Sequence, residues 1–240
     1  MNPVIDTIQN HRSIRAFTRQ PIRSEQLDTI IASGIAASSS SLLQVVSIIR
    51  VTDAEKRQAL AQLAGPQPHV ASAAEFLVFC IDYQRHSQMN ANVKPEYIEL
   101  TLIGAADAGI MAQNCLLAAE SMGLGGVYIG GLRNAPHEVD QLLSLPAHTA
   151  VLFGLCLGHP DQQPRLKPRL PPEVIVHQNT YQPLDMAKIA AYDQTMQSYY
   201  ASRESNVKQQ GWSEQVTGKL SQESRPYMLS YLKSKGLAEK

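Results

Sequence analysis

The pattern of apolar and polar positions along the chain predicts helices that alternate with short buried strands. The run FLVFCIDY at 76–83 is continuously apolar and rich in β-branched and aromatic residues, which is typical of a strand buried on both faces. Similar runs predict further strands at 47–52, 126–130, 150–158 and 173–177. The segments between them are helical in pattern, so we expect a core that combines a sheet with helices.

The segment 97–122 has few polar breaks and predicts a long helix that is apolar on most of its sides. Gly123 follows at a position where helices commonly end in a left-handed residue. A helix that is apolar all round has to be covered by the rest of the fold or by another subunit. Because Asp107, Gln113 and Asn114 interrupt the run, we expect that no segment is long and apolar enough to cross a membrane.

The character of the chain changes after Gln182. The segment 183–240 is polar, its spacing predicts helices, and it contains the single tryptophan, Trp212. We therefore divide the chain into a core at 1–182 and a helical C-terminal extension at 183–240. The first residues lack the apolar run of a signal peptide, so a cytoplasmic location is expected.

Charge and cysteine content exclude several classes of protein. Lysine plus arginine and aspartate plus glutamate both number 21, and this balance argues against a nucleic-acid-binding protein or a polybasic membrane-surface protein. The three cysteines, Cys80, Cys115 and Cys156, lie in apolar runs and are expected to be buried free thiols in a reducing compartment. Cysteines and histidines do not occur at metal-ligand spacing, so no metal site is expected.

Two basic stretches are candidates for binding an anion. HRSIR at 11–15 gathers donors within one short segment, and arginine guanidinium groups match the geometry of phosphate oxygens. LKPRLP holds Lys167 and Arg169 beside prolines, which lower the entropy lost when these cations are fixed on a ligand. Each stretch is also compatible with a solvated basic surface that neighbouring carboxylates balance.

Two polar segments give weaker signals. The serines at 38–41 are compatible with a flexible loop, or with hydroxyl groups that contact the polar rim of a ligand. Gln67 stands between two prolines and is compatible with a turn residue. His69, His86, His137 and His148 lie near loops or helix starts, and most of them are expected at the surface.

Several enzyme and cofactor patterns are missing from the chain. GLGGVYIGG has Tyr128 where a G-x-G-x-x-G fingerprint needs its third glycine, and this disfavours a dinucleotide-binding Rossmann domain. The chain has neither a nucleophile elbow with a Ser–His–Asp order nor a distinct pair of acids for glycosidic chemistry. An enzyme with this sequence would therefore draw its reactivity from a cofactor.

In their order along the chain, HRSIR, SSSS, GLGGVYIGGLRN, LFGLCLG, LKPRLP and ESRP resemble a known family. It is the family of FMN-dependent, NADPH-preferring nitroreductases and flavin reductases of the major oxygen-insensitive type, and the similarity spans essentially the whole chain. The resemblance implies an α+β nitroreductase fold: a mixed, mainly antiparallel sheet between helices, with an appended C-terminal helical segment. It also implies a homodimer with FMN at the interface between subunits.

The resemblance assigns FMN-binding roles within the 1–182 core. Phosphate contacts map onto His11, Arg12, Lys167 and Arg169, and Ser13 would support the turn. Arg15 would lie near the N1/O2 edge of the flavin, where a cation stabilises the charge of the reduced ring. Ser39 and Gln67 would add polar contacts. Backbone against the ring would come from Tyr128, Ile129, Gly130 and Gly131.

The resemblance assigns NADPH and substrate binding to the extension at 183–240. Arg203 would bind the 2′-phosphate, the one group that separates NADPH from NADH, and Lys208 matches a position that is basic in related members. Arg225 in ESRP would line the substrate pocket. The chain would supply binding, orientation and electrostatics, while FMN carries the chemistry.

The implied activity is a ping-pong reaction in which NADPH reduces bound FMN and the second substrate then takes two electrons. Candidate acceptors are free FMN, nitroaromatics and quinones. One alternative is a nitroaromatic or quinone reductase with incidental flavin reductase activity. Another is a non-catalytic flavin carrier, which would have no use for Arg203, and a third is a purely structural protein, which would tolerate the loss of Arg12 and Arg169.

Overall fold

The computed structural model describes residues 2–203 and 208–240, and its centre is a four-stranded antiparallel sheet. The strands are β1 Val46–Arg50, β2 Glu75–Asp82, β3 Gly125–Ile129 and β4 Thr149–Gly158, in the spatial order β1-β2-β4-β3. β2 pairs with β4 along its whole length, with a register shift between Phe79 and Cys80. The two central strands are therefore the two longest apolar runs that the sequence predicts.

Helices surround the sheet and account for most of the remaining elements. They are α1 Pro3–Gln9, α2 Ser24–Ile35, α3 Ala54–Leu63, α4 Pro68–Ser72, α5 Gln84–Met89, α6 Ile98–Ser121, α7 Pro136–Leu143, α8 Pro172–Ile175, α9 Met186–Ala201, α10 Trp212–Leu220 and α11 Met228–Ser234. Two short 3-10 turns lie at Ser40–Leu42 and Gly130–Asn134. The long helix predicted at 97–122 is confirmed as α6, and Gly123 after it has a φ of +77°.

Alternate residues of β2 enter two different layers of the core. Leu77 and Phe79 are buried together with α2 and α6, for instance against Leu116. Phe76 and Val78 are buried on the opposite face with residues of α3, α7 and α11. Since successive side chains of a strand point to opposite faces, a continuously apolar strand requires a covering layer on each side. The predicted arrangement of a sheet between helices is confirmed.

The structure corrects the strand predicted at 173–177. The first three of those residues belong to the short helix α8, Pro172–Ile175, which has proline at its first helical position. Proline fixes φ near the helical value and lacks the N–H that a sheet ladder would need, so it favours a helix start here. Ile175 and Val176, whose β-branching suggested a strand, are exposed. This segment is apolar in composition, but its side chains are not buried within the described fold.

The chain forms two compact units, 2–164 with Tyr227–Lys240 and Arg165–Pro226. The last helix, α11, belongs to the first unit because its Tyr231 is fully buried and donates a hydrogen bond to Asp140 Oδ1 at 2.8 Å. Lys235 Nζ lies 2.9 Å from Asp140 Oδ2 and completes this buried polar cluster. These units differ from the division at residue 182 that we expect from the sequence, and the assignment of separate roles to 1–182 and 183–240 stays a prediction.

Helix α6 is long and apolar enough to span a membrane by length and composition, so the expectation that no segment reaches that threshold is wrong. The helix nevertheless contacts α2 and all four strands of the sheet. Asp107 in its middle is 3% exposed and accepts hydrogen bonds from the loop after α2. Packing against α2 and against every strand of the sheet is that of a core helix.

The three cysteines are free and buried, as the sequence predicts. Burial raises the pKa of the Cys115 thiol to about 11 and that of Cys156 to about 12, and it also raises the pKa of Cys80. Because the thiolate is the reactive form, we expect the folded protein at pH 8 to show almost no rapidly reacting thiol in a DTNB assay. Three should react after unfolding in guanidinium chloride. A fast reaction in the folded state would contradict this burial.

Candidate functional site

The segment HRSIR runs along the edge strand β3. Ser13 forms an isolated parallel bridge with Gly126, and the Ile14 N–H donates to Gly126 O at 2.9 Å. Ile14 is buried, whereas Arg15 is exposed. The sheet therefore fixes the backbone of this basic segment and leaves successive side chains to face different surroundings.

Arg12 and Ile14 face a cavity of about 820 Å³. Its wall also contains the carboxylates of Asp6, Glu120 and Asp161. The Arg12 Nε is buried and has no hydrogen-bond partner among residues 2–203 and 208–240. A buried N–H without a partner is costly, so this arginine is available to an acceptor that the chain itself does not provide.

His11 is held by a carboxylate from the end of α6. Its Nδ1 lies 2.6 Å from Glu120 Oε1, and the glutamate side chain is only 11% exposed. A carboxylate accepts hydrogen bonds, so Nδ1 carries the hydrogen and the Nε2 of His11 is left for another group. Spacing in the sequence gives no signal of this pair, because 109 residues separate its members.

Arg15 lies near a histidine that sequence reasoning places at the surface. His69 in α4 is half-buried, and its Nε2 is shielded and without a hydrogen-bond partner in the described chain. Burial lowers the pKa of His69, and the positive charge of Arg15 lowers it further. His69 is therefore an exception to the expectation that most of these histidines lie at the surface. Its place two residues after Gln67, in the same proline-flanked turn, is the signal that could have identified it.

The end of β3 presents backbone to its surroundings. The Tyr128 side chain turns away towards α6, where its hydroxyl donates to Gln113 Oε1 at 3.2 Å. Ile129 is fully buried. A Cβ on Gly131 would lie 2.1 Å from Ala64 O and 2.5 Å from Gln67 Nε2. The chain therefore packs Gly131 directly against the turn that carries Gln67, which brings these two predicted residues together.

The serine loop after α2 is held in a strained conformation. Ser41, Leu42 and Gln44 have φ values of 49°, 55° and 53°, in the left-handed region that residues other than glycine rarely adopt. Asp107 of α6 accepts from Ser39 Oγ at 2.8 Å and from the Ser40 N–H at 3.1 Å. These bonds compensate for the strain, so the flexible loop that the sequence also allows is replaced by a fixed one.

The other side of the serine loop is held by α5. Arg85 Nη1 donates to Gln44 O at 2.9 Å, and His86 Nε2 lies 2.8 Å from Leu43 O. Ser39 Oγ donates to Asp107 and accepts from the Gln44 N–H at 2.9 Å, which commits its one hydrogen. Towards a ligand, Ser39 is therefore available as an acceptor only.

Replacing Asp107 with asparagine is expected to lower the free energy of unfolding by about 1–3 kcal/mol, because an amide cannot accept all of the loop's donors. Urea denaturation of the variant beside the wild type measures this loss. Asp28→Asn, an exposed change on α2, serves as the matched control and should stay within about 0.5 kcal/mol of the wild type. Equal stability of all three proteins would contradict the role assigned to Asp107.

Within the second unit, the loop with Lys167 and Arg169 is tied to α9. The Tyr192 hydroxyl donates to Pro168 O at 3.0 Å, and Arg169 Nη1 donates to Lys167 O at 2.8 Å. Both cationic side chains are exposed. Prolines and a buried tyrosine therefore fix the backbone of this loop, while its charges remain accessible.

Similarity to known proteins decides the family. The model of the nitroreductase family matches residues 8–159, and that of the C-terminal domain of the same family matches residues 167–240. The chain belongs to the nitroreductase family. Its α+β fold, predicted from the sequence motifs, is the nitroreductase fold.

Named nitroreductases and a solved nitroreductase structure are similar to the chain over its whole length. It is 68% identical to the NADPH-flavin oxidoreductase of Vibrio harveyi, with 100% of both chains covered. It is 50% identical to the oxygen-insensitive NADPH nitroreductase of Salmonella typhimurium, with 99% of both covered. The crystal structure of nitroreductase A from Vibrio parahaemolyticus superposes with a TM-score of 0.97 at 65% identity and covers 100% of both chains.

Three further predicted residues of this nitroreductase lie in or near the second unit's helices. Arg203 and Lys208 each lie over the ring of Tyr200, at 5.9 Å and 5.7 Å from its centroid. Arg225 is partly buried and takes part in polar contacts. Over residues 2–203 and 208–240, three or more metal-ligating side chains do not cluster. The ligands of the individual site residues stay predictions.

Proposed function

We propose that this nitroreductase is an FMN-dependent NADPH oxidoreductase that passes reducing equivalents from NADPH to bound FMN and then to free FMN or another flat acceptor. The observation that carries the proposal is full-length identity of 68% to a protein named NADPH-flavin oxidoreductase. A relative named FMN reductase (NADPH), 43% identical, supports the same activity. The solved structure of the NADPH:FMN oxidoreductase of Vibrio harveyi with NAD+ has a TM-score of 0.95.

The residues present fit the proposed flavin. FMN combines a phosphate dianion with a ring that has carbonyl acceptors at its pyrimidine end and becomes negatively charged on reduction. The chain offers cations and shielded nitrogen atoms that lack partners of their own. The Arg12 Nε and the His69 Nε2 are both buried and unpartnered within the described residues. A Cβ on Gly130 would meet only the guanidinium of Arg133, at 3.5 Å, so the fold itself has space there. These features suit a ligand that supplies polar partners to the two nitrogen atoms and approaches the backbone closely at Gly130.

Each predicted residue of the flavin site has a defined task in this proposal. His11, Arg12, Lys167 and Arg169 hold the flavin phosphate, and Ser13 fixes the turn through its bridge to β3. Arg15 supplies positive charge to the pyrimidine end of the ring, and Ser39 and Gln67 supply polar contacts. FMN, when bound, accepts hydride from NADPH and returns two electrons to the second substrate. The chain binds and orients both reactants, and no side chain has to act as general base.

The donor site in this proposal uses the extension at 183–240. Arg203 binds the 2′-phosphate of NADPH, with Lys208 beside it, and Arg225 contacts the acceptor. A guanidinium fork matches a phosphate in two parallel hydrogen bonds, which is why an arginine is suited to discriminate NADPH from NADH.

The second candidate is a nitroaromatic or quinone reductase in which flavin reduction is incidental. The name of the 50% identical Salmonella relative favours it. Both candidates use the same donor and cofactor, so only the acceptor differs. The ratio of kcat/KM for free FMN to kcat/KM for a nitrofuran decides between them.

A homodimer in the cytoplasm completes the proposal. Large apolar side chains are exposed on α1 and α6, namely Val4, Ile5, Ile8, Ile98, Leu102 and Ile110. Large apolar side chains left exposed on two helices support an interface between subunits. Light scattering after size-exclusion chromatography should give about twice the chain mass of 26.4 kDa.

The first experiment is an absorption spectrum of the purified protein before and after NADPH is added without oxygen. A yellow protein that bleaches with NADPH, and much less with equal NADH, is expected. Protein that stays colourless and inert with added FMN would refute the proposed function.

Replacing Glu120 with glutamine is expected to weaken FMN binding by roughly 3- to 10-fold, because His11 loses the carboxylate that orients it towards the phosphate. Riboflavin has no phosphate, so its affinity should not change. Fluorescence titration of both flavins onto apoprotein measures the two affinities, and Glu25→Gln at an exposed position of α2 is the control. Equal losses for FMN and riboflavin would refute an action through the phosphate.

A further inference from the structure

Three cations of the second unit lie around the ring of one buried tyrosine. The charged groups of Lys167, Arg203 and Lys208 are 5.5, 5.9 and 5.7 Å from the centroid of the Tyr200 ring. Tyr200 is 5% exposed and stands in the last turn of α9. Distances of this size are those at which a cation is attracted to the negative face of an aromatic ring.

These cations carry no compensating charge within the described structure. Over residues 2–203 and 208–240, none of the three forms a salt bridge, and Lys208 Nζ donates only to the neutral Gln215 Oε1, at 3.1 Å. Three like charges repel one another, and the ring offsets only part of that repulsion. The arrangement therefore favours a multiply charged anion among the three cations.

The backbone positions of the three cations also depend on elements around Tyr200. Lys167 stands on the loop that Tyr192 ties to α9, and Tyr192 belongs to the same apolar cluster as Tyr200 and Met196. Arg203 follows α9 directly, and its guanidinium lies 6.0 Å from the ring of Tyr199 as well. Lysine side chains are long and flexible, so a common ring surface reduces the freedom that a ligand would otherwise have to remove.

We propose that Tyr200 is a positioning residue that gathers Lys167, Arg203 and Lys208 into one anion site for the 2′-phosphate of the donor. This inference rests on the proposed NADPH activity and adds two residues, Tyr200 and Lys167, to the donor site. Lys167 thereby contributes charge to the donor phosphate in addition to the flavin phosphate. The ring acts through its face, over which the three cationic groups lie.

The test measures binding of 2′,5′-ADP and of 5′-AMP to the FMN-saturated enzyme by calorimetry. Tyr200→Phe keeps the ring and should bind 2′,5′-ADP as the wild type does. Tyr200→Leu removes the ring and should weaken 2′,5′-ADP binding about tenfold while 5′-AMP binding stays the same. The KM for NADPH should rise by a similar factor, with kcat and the KM for NADH unchanged.

Two more variants separate this role from packing. Met196→Ala removes a fully buried side chain from the same cluster and should lower the melting temperature without changing the ratio of the two affinities. Lys167→Ala changes an exposed residue and should weaken 2′,5′-ADP binding about fivefold, which gives a test even if Tyr200→Leu does not fold. Its folded state is not at risk because the lysine is not part of the core.

The outcomes have separate meanings. A wild type that does not oxidise NADPH would refute the proposed function itself. An active wild type whose Tyr200→Leu and Lys167→Ala variants both bind 2′,5′-ADP within about twofold of normal would overturn only this inference. A loss in Met196→Ala as large as that in Tyr200→Leu would also overturn it, because it would assign the effect to packing.

Discussion

Arg203→Ala is expected to raise the KM for NADPH by roughly 10- to 100-fold and to leave kcat nearly unchanged, because a charge-assisted hydrogen bond to phosphate contributes about 1.5–3 kcal/mol. Arg203 lies over the rings of Tyr199 and Tyr200 and has no salt bridge among residues 2–203 and 208–240. A guanidinium without a carboxylate partner loses little when it binds an anion. Its removal should therefore affect the ligand far more than the fold.

Steady-state kinetics with both donors test this expectation. The KM for NADH should change by less than about twofold, since NADH lacks the 2′-phosphate. Lys219→Ala, at an exposed position in α10, is the matched control for loss of a cation from the same unit. Equal increases in KM for NADPH and NADH would contradict a contact with the 2′-phosphate. An unchanged KM for both donors would show that Arg203 does not bind the donor.

Gly130→Ala and Gly131→Ala are expected to fail in different ways, although the two glycines are adjacent. A Cβ at Gly131 would lie 2.1 Å from Ala64 O, and only a backbone shift can relieve that overlap. We expect Gly131→Ala to lose about 1–3 kcal/mol of unfolding free energy and to displace the turn at Gln67. At Gly130 the nearest atoms are those of the Arg133 side chain, at 3.5 Å, an ordinary van der Waals distance, so Gly130→Ala should fold normally.

The large effect of Gly130→Ala should appear in flavin binding. If backbone at this position lies against the ring, an added methyl group fills the space that the flavin needs, and FMN affinity should fall by roughly 100-fold or more. Thermal unfolding of the apoprotein and fluorescence titration with FMN measure the two quantities separately. Normal FMN affinity in Gly130→Ala would show that this residue does not lie against the flavin. Normal stability in Gly131→Ala would contradict the close approach to Ala64.

The pattern of apolar residues predicted the strands and the helix that are buried on most of their sides. The runs that become β2 and β4 are apolar except at their ends, at Glu75, Asp82 and Thr149, because helices cover both faces of the sheet. The apolar character of 97–122 reflected a helix in contact with α2 and the sheet, although it could not show which of its sides stay exposed. The strand predicted at 173–177 failed because composition alone cannot distinguish a buried β-branched residue from one that stays exposed.

Some residues of the site were also recognisable in the sequence, and others were not. HRSIR and LKPRLP were recognisable because concentrated, acid-free positive charge is visible in a linear sequence. His69 was not, since its half-burial and its position beside Arg15 arise only when α4 packs near the basic segment. The roles of Glu120 and Asp107 depend on single contacts between residues 109 and 68 positions apart. No local pattern encodes such pairs.

By itself the sequence determined the family, the four strands of the sheet, the longer helices of the core, and the stretches rich in positive charge. Those properties depend on local periodicity and on which residue types occur together in short motifs. Only the tertiary structure decided that α11 returns to the first core, that Asp107 holds the strained serine loop and that three cations share the ring of Tyr200. The physical reason is that partners for a buried or charged group are chosen by packing in space, and packing joins residues that are far apart in the chain.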